Sequence, residues 1–124
     1  MTAMSGARKP IESHRDLIVW QKSMDLAVVA YGLTSVFPVG ERYGLTSQIR
    51  RSASSVPANI AEGYGRESPG AYAQQLKIAQ GSLKEFETHI ELAHRVGIVD
   101  ELTLSTALKM QRRSARCFAV SFGR

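Results

Sequence analysis

The sequence predicts an all-α protein, an antiparallel up-down-up-down four-helix bundle with a Pro-kinked second helix. Three observations carry this. Apolar residues recur at helical spacing in four separate stretches. No alternation of polar and apolar residues is sustained anywhere, so strands have no support. Short Pro- and Gly-containing segments divide the stretches, and connections of roughly three to six residues force consecutive helices to lie antiparallel. A chain of 124 residues makes one domain, long enough to bury a single core without disulfides or metal.

Residues 1–13 are small, polar and basic, with little to bury, and read as a disordered tail ahead of a bundle over 14–124. The first helix is expected over about 16–37, with Leu17, Trp20, Met24, Ala27 or Val28, and Tyr31 as its inner stripe and Pro38-Val39-Gly40 as its end. The second spans 43–65. Leu45, Ile49, Ala53, Val56 and Ile60 keep one face inward, and the small residues 52–55 admit a close neighbour. Pro57 removes a donor in mid-helix and predicts a bend, while Gly63 and Gly65 mark the stop. The third has the clearest pattern: Tyr72, Leu76, Ala79, Leu83, Phe86, Ile90 and Ala93 form a heptad seam. Ser68 suits its N-cap, Pro69 its first position and Gly97 its end. A fourth helix is expected from Asp100 towards Phe122, with Leu104, Leu108, Ala115, Phe118 and Phe122 on one face and Gln111 interrupting it.

The run QIRRSASSVPANIAEGYGR, with DLIVWQKSMDLA before it and AQGSLKEFETHIELA after it, resembles the bacterial four-helix-bundle proteins called 23S rRNA intervening-sequence proteins. Their superfamily includes the accessory variability determinant of diversity-generating retroelements. The likeness spans roughly residues 16–97, with VPANIAEG as its specific part; the fourth helix and the first dozen residues match only in type. It implies a four-helix bundle, often assembled as a homopentamer, with no known catalytic residues.

Charge gives the strongest functional clue that owes nothing to resemblance. The net charge is +5, yet residues 1–101 hold equal numbers of acidic and basic side chains. The whole excess follows Glu101, where five basic residues meet no acidic one. Lys109, Arg112, Arg113 and Arg116 stand at i, i+3, i+4 and i+7 and share one helix face. Arginine's planar fork suits phosphate, so one reading is a sequence-nonspecific, salt-sensitive contact with RNA or DNA. The alternatives are a solvated face favoured by the helix dipole and pairing with an acidic patch on another subunit. Arg50 and Arg51 resemble the IRR of the family motif, where the position is basic as a rule, and Arg42 precedes them. Adjacent residues point about 100° apart, so one of the pair suits a partner and the other an ion pair, with Glu62 or Glu41 as acceptor.

Other constellations fall away. Glu91-x-x-His94 with Glu87 is half of a di-iron motif, but no second copy exists. His89 and His94 read as surface or interface residues and His14 as part of the tail. Cys117 is the only cysteine, which excludes an intrachain disulfide and reads as an apolar filler. Gly63-Tyr64-Gly65-Arg66 lacks the features of a phosphate loop. The aromatic residues are not spaced as a stacking platform. Asn59 and Glu62 could serve carbonyls freed at Pro57 or act as interface contacts. No apolar h-region or membrane-length run is present, so a cytoplasmic protein is expected. Val29, Leu33, Val36, Ile78 and Val120 fall off the main stripes and suggest further apolar faces for self-association. The expected function is a non-enzymatic homo-oligomeric adaptor, pentameric as the resemblance implies, without cofactors. Its expected ligand is nucleic acid, foremost structured RNA, with an RNA-handling protein as a further partner. The alternative is a protein–protein interaction scaffold.

Overall fold

Four α-helices make up the described part of the chain: α1 Ile18–Thr34, α2 Leu45–Tyr64, α3 Pro69–Arg95 and α4 Glu101–Phe122. The computed structural model describes residues 10–122, and among the described residues there is no strand. Most of the expected tail, residues 1–9, lies outside them. Ser13 caps a short 3-10 turn, His14–Asp16, which leads into α1, and His14 packs its ring edge-on against Trp20. The first helix ends at Thr34, before Phe37, because a residue preceding proline is driven out of the helical region. The hydroxyls of Thr34 and Ser35 donate to the carbonyls of Ala30 (2.7 Å) and Gly32 (2.6 Å) at this end.

The next boundaries follow the sequence closely. Ser68 accepts from the Ala71 amide at 3.0 Å, with Pro69 opening α3. At the far end Gly97 takes φ +87, which a side chain would strain, and the amides of Ile98 and Gly97 donate to Ala93 (2.9 Å) and His94 (3.0 Å). Those two bonds close the helix as a Schellman turn. Glu41 serves α2 differently from expectation: its carboxylate accepts from the Leu45 amide at 3.1 Å as a cap and pairs with neither Arg50 nor Arg51.

Each helix packs against its sequence neighbours, and α4 also closes against α1, while the backbones of the diagonal pairs α1–α3 and α2–α4 do not come close and share only the common core. Side chains pair in opposing order along α2 and α3. Arg51 meets Glu85, Ser55 meets Ser82, and Gly63 abuts Tyr72 and Gln75. Glu87 with Gln111 and His94 with Glu101 show the same opposed run between α3 and α4. These pairs are therefore antiparallel.

Every residue of the α3 seam from Leu76 to Ala93 is buried, as are Ile49, Ala53, Val56 and Ile60 of α2. Two other stripes differ from expectation. In α1 the core takes Val19, Ser23, Leu26, Ala27 and Ala30. Met24, Val28 and Tyr31 instead face outward, with Val28 67 % and Tyr31 48 % exposed. This helix is apolar on nearly all sides, so spacing alone could not choose between faces one position apart. In α4 the buried line is Ala107, Gln111, Ser114 and Phe118; Gln111 is part of the inner face, not a break in it, and Leu104, Leu108 and Ala115 flank that line half-buried.

Gly63 also departs from its expected role. It lies inside α2, fully packed, where a Cβ would come within 2.6 Å of the Gln75 Cβ. Close approach of α3, not chain termination, requires it. Pro57 is buried in a helix that continues through it. The Asn59 amide donates to the Ser55 carbonyl at 2.8 Å, not to the Ala53 carbonyl that Pro57 leaves without its usual donor, and Glu62 pairs with Arg66 at 2.7 Å.

Candidate nucleic-acid interface

The fourth helix is anchored at its start by Asp100, whose carboxylate accepts from the Thr103 amide at 2.8 Å. Hydrogen bonds from the Thr103 hydroxyl and amide, helped by nearby His94, hold this carboxyl below the usual range. Burial of Ala107, Gln111, Ser114 and Phe118 then locks the rotation of the helix. Gln111 donates to Glu87 on α3 at 3.3 Å, which ties the inner face further.

With rotation settled, helical geometry puts Lys109, Arg112, Arg113 and Arg116 on the opposite side. All four are exposed. Among the described residues none of them has an ion-pair partner. The row is therefore a local concentration of positive charge with no internal neutralisation, on a helix that cannot turn it away.

Arg50 and Arg51 lie elsewhere. They belong to α2, diagonal to α4, and both are engaged within the fold. The Arg50 Nε donates to the Thr34 hydroxyl at 2.8 Å, and its guanidinium sits 4.6 Å from the centre of the Tyr31 ring. Arg51 bridges to Glu85 on α3 and donates to Gln48 at 2.8 Å. This bridge is the main reason the Glu85 carboxyl is held below its ordinary range, with His89 adding to the effect against partial burial. Arg42 lies outside α2, stacked on Tyr43 at 5.7 Å. The fold thus brings the four cations of α4 together and separates them from the basic group of α2.

Residues 15–117 match the family model described as 23S rRNA-intervening sequence protein. The chain belongs to that family. The matched span of this 23S rRNA-intervening sequence protein takes in the whole cationic row of α4 as well as the VPANIAEG stretch of α2. Its fold is similar to the crystal structure of a protein with unknown function from the S23 ribosomal protein family of Bacteroides thetaiotaomicron. The TM-score is 0.73 at 23% identity, over 82% of this chain and 94% of that one. No curated protein matches the sequence.

One surface escaped the sequence reading. Trp20, Met24, Ala27, Val28 and Tyr31 of α1 meet Ser54, Pro57, Ala58 and Ala61 of α2 around an open, almost wholly apolar groove. The signal for it was present, since α1 carries two apolar stripes offset by about one residue. Among the described residues no cluster of His, Cys, Asp or Glu is placed to hold a metal ion. His94 pairs with Glu101 at 3.1 Å. Among the described residues no helix is long and apolar enough to cross a membrane.

Proposed function

We propose that the protein is a non-enzymatic, homo-oligomeric adaptor that binds nucleic acid, structured RNA foremost, through the cationic row of α4. One observation supports this above the rest: Lys109, Arg112, Arg113 and Arg116 stand exposed on one helix face and, among the described residues, have no anion paired with them. Like charges at this spacing repel, and a polyanion relieves the repulsion. Arg50, Arg51 and Arg66, in contrast, already have partners within the fold. Membership of a family named for an intervening sequence of 23S rRNA favours RNA over other polyanions.

Self-association is supported by the groove between α1 and α2, where Trp20, Val28 and Tyr31 offer apolar surface to a second copy. A pentamer, as the family resemblance implies, would carry five copies of the row and turn weak phosphate contacts into avidity. The same groove also favours a second reading, a protein–protein interaction scaffold in which an RNA-handling protein or another partner binds without nucleic acid.

Fluorescence anisotropy with a structured RNA, titrated across salt, separates the two. Binding should weaken with salt and disappear in Arg112→Glu/Arg113→Glu/Arg116→Glu, with helicity unchanged by circular dichroism. A triple variant that binds as well as the parent removes α4 from the interface. No binding by the parent even at about 50 mM salt leaves the scaffold reading.

A further inference from the structure

Resting on the nucleic-acid reading above, we propose that the row on α4 takes double-stranded nucleic acid through its phosphates alone and discriminates against single strands. The argument starts from spacing. Lys109 to Arg116 spans seven residues, about 10.5 Å along a helix. A duplex offers one phosphate per about 1.7 Å of axis, or about six over that length, whereas one strand at about 3.4 Å per phosphate offers about three. Four cations fixed on one rigid face can all find phosphates on a duplex within their own footprint, and a single strand runs short.

Rigidity points the same way. The helix beneath the α4 row cannot rotate, because the opposite face is sealed by Ala107, Gln111, Ser114 and Phe118. A flexible strand must be ordered to follow it, and proteins that hold single strands offset that cost by stacking bases on aromatic side chains. No aromatic residue lies among or between the four cations. The exposed tyrosines sit on other elements, Tyr31 beneath Arg50 and Tyr43 beneath Arg42. Base-edge reading by a carboxamide is missing too, since Gln111, the one carboxamide of α4, is buried and donates to Glu87. What remains on this face is arginine and lysine, both well suited to phosphate oxygens.

The test uses the full-length protein and three labelled probes of equal length, about 20 nucleotides per strand, compared at one low salt concentration. They are a duplex RNA, a duplex DNA and an unstructured oligo(U). The loss of a single stacked base corresponds to roughly tenfold in affinity. Both duplexes should therefore bind about tenfold or more tightly than oligo(U), with little change when the duplex sequence is scrambled. The log–log salt slope should reach about −0.9 per phosphate neutralised, near four phosphates per bound copy. Oligo(U) binding as tightly as the duplexes, through the same three arginines, overturns the duplex assignment and leaves the nucleic-acid reading standing. Failure of all three probes, or binding indifferent to the triple arginine reversal, overturns both.

Discussion

Replacing Gly63 with alanine tests the packing of α2 on α3 directly. Elsewhere in a helix the change would be favourable by about 0.5–1 kcal/mol, because alanine loses less backbone freedom on folding. Here the added methyl would lie 2.6 Å from the Gln75 Cβ and 3.1 Å from the Tyr72 Cδ1. Carbon atoms prefer about 3.5–4.0 Å, so the pair falls short by roughly 1 Å. The tyrosine ring can swing aside. Gln75 Cβ cannot, because it is fixed to the backbone, so α2 and α3 must separate locally. Overpacking of this kind costs about 1–3 kcal/mol. Subtracting the gain in propensity leaves a net loss of about 1–2 kcal/mol. With a urea m-value near 2 kcal/mol/M the midpoint should fall by about 0.5–1 M at fixed protein concentration. Gly81 provides the control, since it is exposed within α3 and a Cβ there meets nothing within 4 Å. Gly81→Ala should therefore raise stability by about 0.5–1 kcal/mol. If Gly63→Ala proves as stable as the parent, the close approach described above does not exist.

Three other outcomes are expected. Phe86 is completely buried in the α3 seam, so Phe86→Ala should cost about 3–5 kcal/mol in urea unfolding; a loss below about 1 kcal/mol would place that seam at the surface. Glu85 is held below its ordinary pKa mainly by Arg51. Its contribution is therefore present above the unfolded carboxylate pKa and lost as pH falls through the folded one, so Glu85→Gln should flatten the acid limb of stability below the ordinary carboxylate range. Both partners are more than a third exposed, so the effect should stay below about 1 kcal/mol, and an unaltered acid limb refutes the pairing. Val28→Glu puts a charge into the α1–α2 groove at a position 67 % exposed. The fold should survive while the assembly mass by light scattering falls; an unchanged mass rules the groove out as the self-association surface.

Much of the fold was readable because its signals are local. Ser68 and Gly97 act at the ends of α3 as their chemistry requires, and the α3 seam is legible because its apolar residues stand on one face with polar neighbours on the other. The first helix shows the opposite case. Both Val19–Leu26–Ala30 and Trp20–Met24–Val28 are apolar lines, and nothing local ranks them. Gln111 misled for a related reason: a polar residue looks external until a neighbouring helix is seen to enclose it.

For the candidate site, the sequence by itself determined the cationic row, since the spacing of Lys109, Arg112, Arg113 and Arg116 puts them on one face of any helix that contains them. It also settled that the positive excess lies wholly in the last segment. Whether those charges remain available is a different kind of question. Neutralisation depends on which side chains approach from other helices, and sequence distance says nothing about that. Arg51 finds Glu85 and Arg50 finds Thr34 only because α2 lies between α1 and α3, while α4 presents its row on the side where no helix packs. Helix rotation within the bundle, fixed by burial of the opposite face, is what set one basic cluster beside its partners and left the other without them.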